Sequence, residues 1–280
     1  MNLHWYQFNV GLVRQKGDAR PSARHLFKSL LPYISEAACF FFVRKPPDVR
    51  LRFQIKQGAL ADSIEKKLED LAKMGFIHNA ASVVYEPEVH LFGGPAIMPF
   101  IHQHFYVDSQ AWIELDLLSD RKPRSHCLLQ VSRALMDDLF IQTLSPYDEE
   151  IWDVWRNLQR MLPLTEEKFE DSAAATIDAL ESCSCKSQAV WIRRYREANT
   201  SLAGKLALHA KFGKLESGVR SILAFIALFH YNRFGLSAKA RCIADTMATV
   251  WDPRQYLIGA EPDDAKRWEK TNSSRKDQPR

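Results

Sequence analysis

Cysteine is scarce in this 280-residue chain and poorly placed for a metal. Cys39, Cys127, Cys183, Cys185 and Cys242 lack the doubled CxxC spacing of a structural zinc site, and Cys183-Ser184-Cys185 stands alone in a polar connector. No metal site is assigned. A charged-then-apolar targeting segment is also missing after Met1-Asn2-Leu3-His4-Trp5, so a reduced cytoplasmic setting is expected. The most apolar run, Ile222 to Phe229, lies between Arg220 and the polar group His230 to Arg233, far short of the roughly 20 residues a membrane span needs. It reads as a buried helix, and no membrane partner is expected. With neither a Walker A loop nor a dinucleotide fingerprint, the chain has no recognisable nucleotide cradle, and no cofactor is expected. Charge of one sign is lacking too: 38 Lys and Arg against 34 Asp and Glu give a net +4, which permits an acidic partner without implying one.

What is present is a chain with a core, 46% hydrophobic and 26% charged. Its first 94 residues alternate strand and helix signals. Trp5 to Val13, Cys39 to Val43 and Val49 to Lys56 read as strands, the last because Leu51, Phe53 and Ile55 alternate with Arg50, Arg52, Gln54 and Lys56. Ser22 to Leu31 reads as a helix. A second starts at a capping-box-like Asp62/Glu65 pair and ends at Gly75, and a last strand runs from Ser82 to about Glu88. The order predicts an α+β fold, a ferredoxin-like βαββαβ sandwich. From residue 95 to about 255 helical periodicity takes over, with helices at Pro95 to Val107, Ser125 to Leu144, Asp148 to Met161, Glu166 to Ser182, Ser187 to Lys211, Lys214 to Arg233 and Ser237 to Val250. This half is expected to pack on the first as one compact unit. Residues 256–280 are polar and read as a disordered tail.

The richest segment is Val83-Val84-Tyr85-Glu86-Pro87-Glu88-Val89-His90-Leu91-Phe92-Gly93-Gly94-Pro95, where a strand-like run carries two carboxylates to a glycine pair. Gly93-Gly94 permits positive φ, a close backbone approach or exposed amides for an anion. Arg50 and Arg52, two apart on a strand, share a side, and their guanidinium forks suit a carboxylate or phosphate; an ordinary solvated sheet face explains them equally well. Glu86 and Glu88 share that spacing and either pair with those arginines or act as acid and base. His230 follows a long apolar run, as either a satisfied core histidine or a proton-transfer group at the mouth of a pocket. His102 and His104 face different sides of a helix, unlike a zinc pair at i and i+4.

Taken in order, Cys39-Phe40-Phe41-Phe42-Val43-Arg44-Lys45-Pro46, Val49-Arg50-Leu51-Arg52-Phe53, Tyr85-Glu86-Pro87-Glu88 with Phe92-Gly93-Gly94, Asp108-Ser109, and Phe229-His230-Tyr231-Asn232-Arg233 resemble the thiopeptide-type bacteriocin biosynthesis proteins. These are free-standing relatives of the C-terminal elimination domain of lantibiotic dehydratases. The resemblance spans roughly residues 5 to 245. It implies an enzyme that matures a ribosomally made peptide, a lyase removing glutamate from glutamylated Ser or Thr to leave a dehydroamino acid. It also implies that Arg50 and Arg52 hold the glutamate or enolate-like charge, with Glu88 as the acidic residue and His230 transferring a proton. Arg44, Tyr85, Glu86, Asn232 and Arg233 lie in the same motifs and are expected at the substrate. The implied partners are a precursor peptide with its leader, a separate glutamyl-tRNA-dependent glutamylating protein, and a second copy of the chain; direct tRNA binding is not expected. One position departs: fused dehydratases usually carry arginine three residues after the acid, where Leu91 stands here. The same fold also serves as a pyridine synthase, which performs a formal [4+2] cycloaddition and expels the leader, and a non-catalytic precursor-binding subunit is a further alternative.

Overall fold

The computed structural model describes residues 3–14, 23–56, 58–118, 125–164 and 186–254. The fold is α+β, an antiparallel sheet followed by helices. Strands β1 (Leu3–Leu12), β2 (Cys39–Val43), β3 (Val49–Lys56) and β4 (Ile77–Val83) lie in the order β2-β3-β1-β4, with helices α1 (Arg24–Glu36) and α2 (Ala59–Lys73) in the β-α-β-β-α-β succession. Every neighbouring pair is antiparallel. The alternation of Leu51, Phe53 and Ile55 fixes which face of β3 is dry, and Phe8, Phe40 and Phe42 join that face by register. Burying each such phenylalanine contributes about 1.5–3 kcal/mol.

Both N-terminal helices differ from the sequence reading at their ends. α1 runs through Pro32 because its apolar stripe, Leu26, Leu30 and Ile34, continues across the proline and stays buried. α2 begins at Ala59 after Gly58 with no side-chain cap, so Asp62 is not a capping residue; it sits in the first turn, where its charge favours the helix dipole. Its C-terminus is as read. Gly75 adopts φ +75°, Gly75 N–H donates to Ala72 O and Phe76 N–H to Leu71 O, a Schellman ending.

The last strand is also corrected. β4 ends at Val83, so Glu86 and Glu88 do not share a strand face: residues 84–88 are irregular and a 3-10 turn covers Val89–Phe92. Pro87 has no N–H for a ladder, and β4 leaves β1 at the Gln7–Val83 pair although β1 itself continues to Leu3 alongside β3.

The helical part comprises α3 (Met98–Leu118), α4 (Ser125–Leu144), α5 (Asp148–Met161), α6 (Lys186–Lys211), α7 (Val219–Arg233) and α8 (Ala240–Val250). Pro95 precedes α3 by a turn instead of opening it. α3 lies between β2 and α6, which explains why its Ile101, Phe105, Asp108, Ser109 and Trp112 are all buried. One cluster of buried apolar residues runs from the sheet through these helices. The Glu166 to Ser182 helix and the 256–280 tail fall outside the described residues. No described helix is long and apolar enough to cross a membrane.

Candidate functional site

The sheet face turned away from α1 and α2 carries three cross-strand rows: Val43, Arg50 and Asn9; Phe41, Arg52 and Gln7; Cys39, Gln54 and Trp5. Arg52 stands at the centre and is only 2% exposed. Its guanidinium lies over Tyr85 at 4.5 Å and Phe41 at 5.1 Å, its Nε donates to Gln7 Oε1 at 2.8 Å, and one terminal nitrogen is 3.5 Å from Glu88 Oε1. Burial pulls the guanidinium below the ordinary arginine range, and the Glu88 carboxylate pushes it back. The same Glu88 oxygen is 3.7 Å from Lys45 Nζ, so one carboxylate lies between two cations. With side-chain exposures of 2% for Arg52, 23% for Glu88 and 40% for Lys45, the cluster grades from a fixed base to an open mouth.

Tyr85 and His102 back this cluster. The Tyr85 hydroxyl meets His102 Nε2 at 2.8 Å, burial keeps the phenol protonated by raising it, and burial aided by Arg52 lowers His102 to about 4. Both are neutral near pH 7. Arg50 shares the face as expected, but its Nε turns to Pro46 O at 3.2 Å. Glu86 is exposed, without a hydrogen bond or ion pair among the described residues.

The glycine pair holds this loop. Gly93 and Gly94 take φ +86° and +102°, and both amides donate to Val89 O, so they are not an open anion nest. A Cβ on Gly93 would come within 2.5 Å of Ile222 Cδ1, so α7 approaches here as closely as glycine allows.

His230 lies in a second, fully buried cluster. Asp108 and His230 are 1% and 0% exposed, and Asp108 Oδ1 is 2.7 Å from His230 Nδ1. The other Asp108 oxygen accepts from Arg233, and Tyr195 donates its hydroxyl proton to Oδ1 at 2.8 Å. On the far side of the imidazole, His230 Nε2 is 2.6 Å from Ser132 Oγ. Burial alone would raise the Asp108 carboxyl, but His230 and Arg233 outweigh it and hold the group ionised. Arg233 also donates to Phe42 O, while Asn232 brackets Arg44 by accepting from its N–H and donating to its carbonyl. With Ser109 Oγ accepting from Phe42 N–H, these side chains seal the outer edge of β2.

The structure therefore joins Arg52, Glu88 and Tyr85, and separately joins His230, Asn232, Arg233 and Arg44. No hydrogen bond or ion pair links His230 to Arg50, Arg52 or Glu88 among the described residues. Lys45, Gln7, Ser132 and Tyr195 were not assigned from sequence. Lys45 was visible as the residue after Arg44 in a basic run; Gln7, Ser132 and Tyr195 carried no local signal. His102 and His104 diverge as read, His104 turning to Asn199 Oδ1 at 2.9 Å. No group of three or more His, Cys, Asp or Glu side chains suits a metal among the described residues.

Residues 5–250 match the family model for lantibiotic biosynthesis dehydratase C-term, and the chain belongs to that family. Among solved structures, the tRNA-dependent lantibiotic dehydratase MibB from Microbispora sp. 107891 is similar at 16% identity and a TM-score of 0.58, over 86% of this chain and 27% of that one. This chain thus corresponds to about a quarter of that protein's length. The pyridine synthase TbtD from thiomuracin biosynthesis is similar at 13% identity and a TM-score of 0.49, over 91% of this chain and 99% of that chain. TsrL follows at 11% identity and 0.48, over 91% and 96%. At these identities the likeness is one of fold. No curated protein sequence matches the chain.

Proposed function

We propose that this chain is an enzyme of ribosomal-peptide maturation that eliminates glutamate from glutamylated Ser or Thr. The observation that carries the reading is the Glu88 carboxylate between Arg52 and Lys45, because the reaction needs one base and a place for two developing negative charges. Glu88 accepts the α-proton, the Cα–Cβ double bond forms, and the Cβ–O bond breaks, its electron pair leaving with the glutamate carboxylate. Arg52 and Lys45 stabilise the enolate-like oxygen and the departing carboxylate, and Arg50 at the rim draws the glutamate in. The substrate is a leader-bearing precursor peptide loaded by a separate glutamyl-tRNA-dependent protein. In this reading the sheet is a split βαβ platform, and the reaction runs in the cytoplasm.

His230 acts as a positioning residue. Both its ring nitrogens are engaged inside the core, and its neighbours Asn232 and Arg233 hold the β2 end from which Lys45 projects. Arg44, clasped by Asn232, belongs to that support, while Tyr85 supports Arg52 and the exposed Glu86 faces the peptide.

The test is direct: the purified chain is mixed with a glutamylated cognate peptide and followed by mass spectrometry. Loss of glutamate with formation of an alkene residue is expected, and an intact ester with the cognate peptide would sink the reading. One observation favours a cycloaddition enzyme instead. Leu91, where a cation would help bind glutamate, packs against the apolar core. A dehydrated linear precursor converted to a macrocycle with released leader would establish that alternative.

A further inference from the structure

Beside the Arg52 cluster is a cavity of about 330 Å³ that the elimination step does not use. Its floor is Trp5, Cys39, Met98 and His102; Gln54 and Gln103 bring carboxamides to the wall; Pro87 and Val89 close the side nearest Glu88. The volume is at the small end for ligand pockets, the size of one side chain and not of a whole cofactor.

Three observations say what fits. First, the lining is uncharged throughout. Cys39 is a buried thiol pushed up to about 12, His102 is held neutral by burial and by Arg52, and the remaining groups are apolar or amide. A charged side chain would lose its water there with no counter-ion among the lining residues. Second, flat surfaces meet at the floor: the Trp5 and His102 rings lie 4.5 Å apart and both contact Phe41. Three prolines, Pro87, Pro95 and Pro99, stiffen the rim, so the cavity is shaped before anything enters it. Third, the cavity is built on the Cys39, Gln54 and Trp5 row, adjacent to the row that holds Arg52. Adjacent same-face positions on a strand are about 7 Å apart, which is also the spacing of side chains i and i+2 in an extended peptide.

Building on the proposed elimination, we infer that this cavity receives an uncharged aromatic side chain of the precursor peptide, two residues from the Ser or Thr under modification. The cluster at Arg52 handles charge, and the cavity reads the neighbouring sequence.

Methionine methyl NMR tests the pocket without any turnover. There are six methionines, and Met98 is assigned with Met98→Leu. Titrating the full chain with N-acetyl-phenylalaninamide should move the Met98 methyl. N-acetyl-aspartamide should not, and Ala38→Trp, which fills the mouth from an exposed position, should erase the response. An unmoved Met98 signal, an equal response to the acidic probe, or a response that survives Ala38→Trp overturns the inference. Glutamylated peptides then test the spacing. Phenylalanine two residues from the modified Ser, on one side, should lower KM about tenfold relative to aspartate there, and Ala38→Trp should remove the preference. No preference at that spacing counts against the proposal. Elimination without a Met98 response overturns the pocket and leaves the lyase reading; a Met98 response without elimination does the reverse.

Discussion

His102 makes the protein's stability depend on pH between its ordinary value and its lowered one. Its ordinary value is 6.5, and burial, with help from Arg52, lowers it to about 4 in the folded chain. Below pH 6.5 the unfolded chain binds a proton that the folded chain refuses until about pH 4. The unfolded state then holds more protons, so stability falls as the pH drops through that window and is unaffected by this group above it. About 2.5 pH units at roughly 1.4 kcal/mol each, less the partial protonation at the lower limit, gives about 3 kcal/mol lost by pH 4. Urea denaturation of the wild type and of His102→Gln at pH 7, 6, 5 and 4 measures it. Glutamine keeps a polar partner for Tyr85 and does not titrate. The stability difference, wild type minus variant, should fall by about 3 kcal/mol on acidification, whatever the fixed cost of the substitution at pH 7. Parallel curves across the window would refute the account of a neutral, buried His102.

Asp108→Asn leaves Arg233 buried without its counter-ion and should cost about 3–5 kcal/mol in urea denaturation, with much of that recovered in the Asp108→Asn, Arg233→Met double variant; additive losses would show that the two do not act as a pair. Gly93→Ala places a methyl against Ile222 at positive φ and should lower stability by about 1–3 kcal/mol, partly relieved by Ile222→Val, which removes the offending Cδ1. Lys45→Ala, at a half-buried position near the surface, should leave the thermal midpoint within a few degrees and reduce elimination about tenfold or more; unchanged turnover would remove Lys45 from the reaction.

Strands β2 and β3 were legible to the residue because strict alternation and an apolar run leave little freedom, and the family was legible because its motifs fall in order. The carboxylates misled. Glu86 and Glu88 have strand spacing, but β4 follows its partner β1 and stops before Pro87, which a single segment does not reveal. Gln7 and Arg52 meet across 45 positions, so their bond is a fact of register and not of local sequence. The reading of His230 as either a core residue or a pocket residue turned on Asp108, placed 122 positions away in a helix buried on two sides. Asp108 was seen as part of a motif; its three partners on α6 and α7 were beyond reach of periodicity.

Ser132, His230 and Asp108 are linked in the sequence of contacts familiar from serine hydrolases, yet solvent does not reach them. A serine-directed phosphonate should therefore leave the chain unlabelled. The ionised Asp108 only accepts, so the proton it shares with His230 resides on Nδ1, enclosed where α3, α4, α6 and α7 meet. In deuterated water that proton exchanges only when those helices part, which makes its downfield resonance a clock for opening of the helical layer.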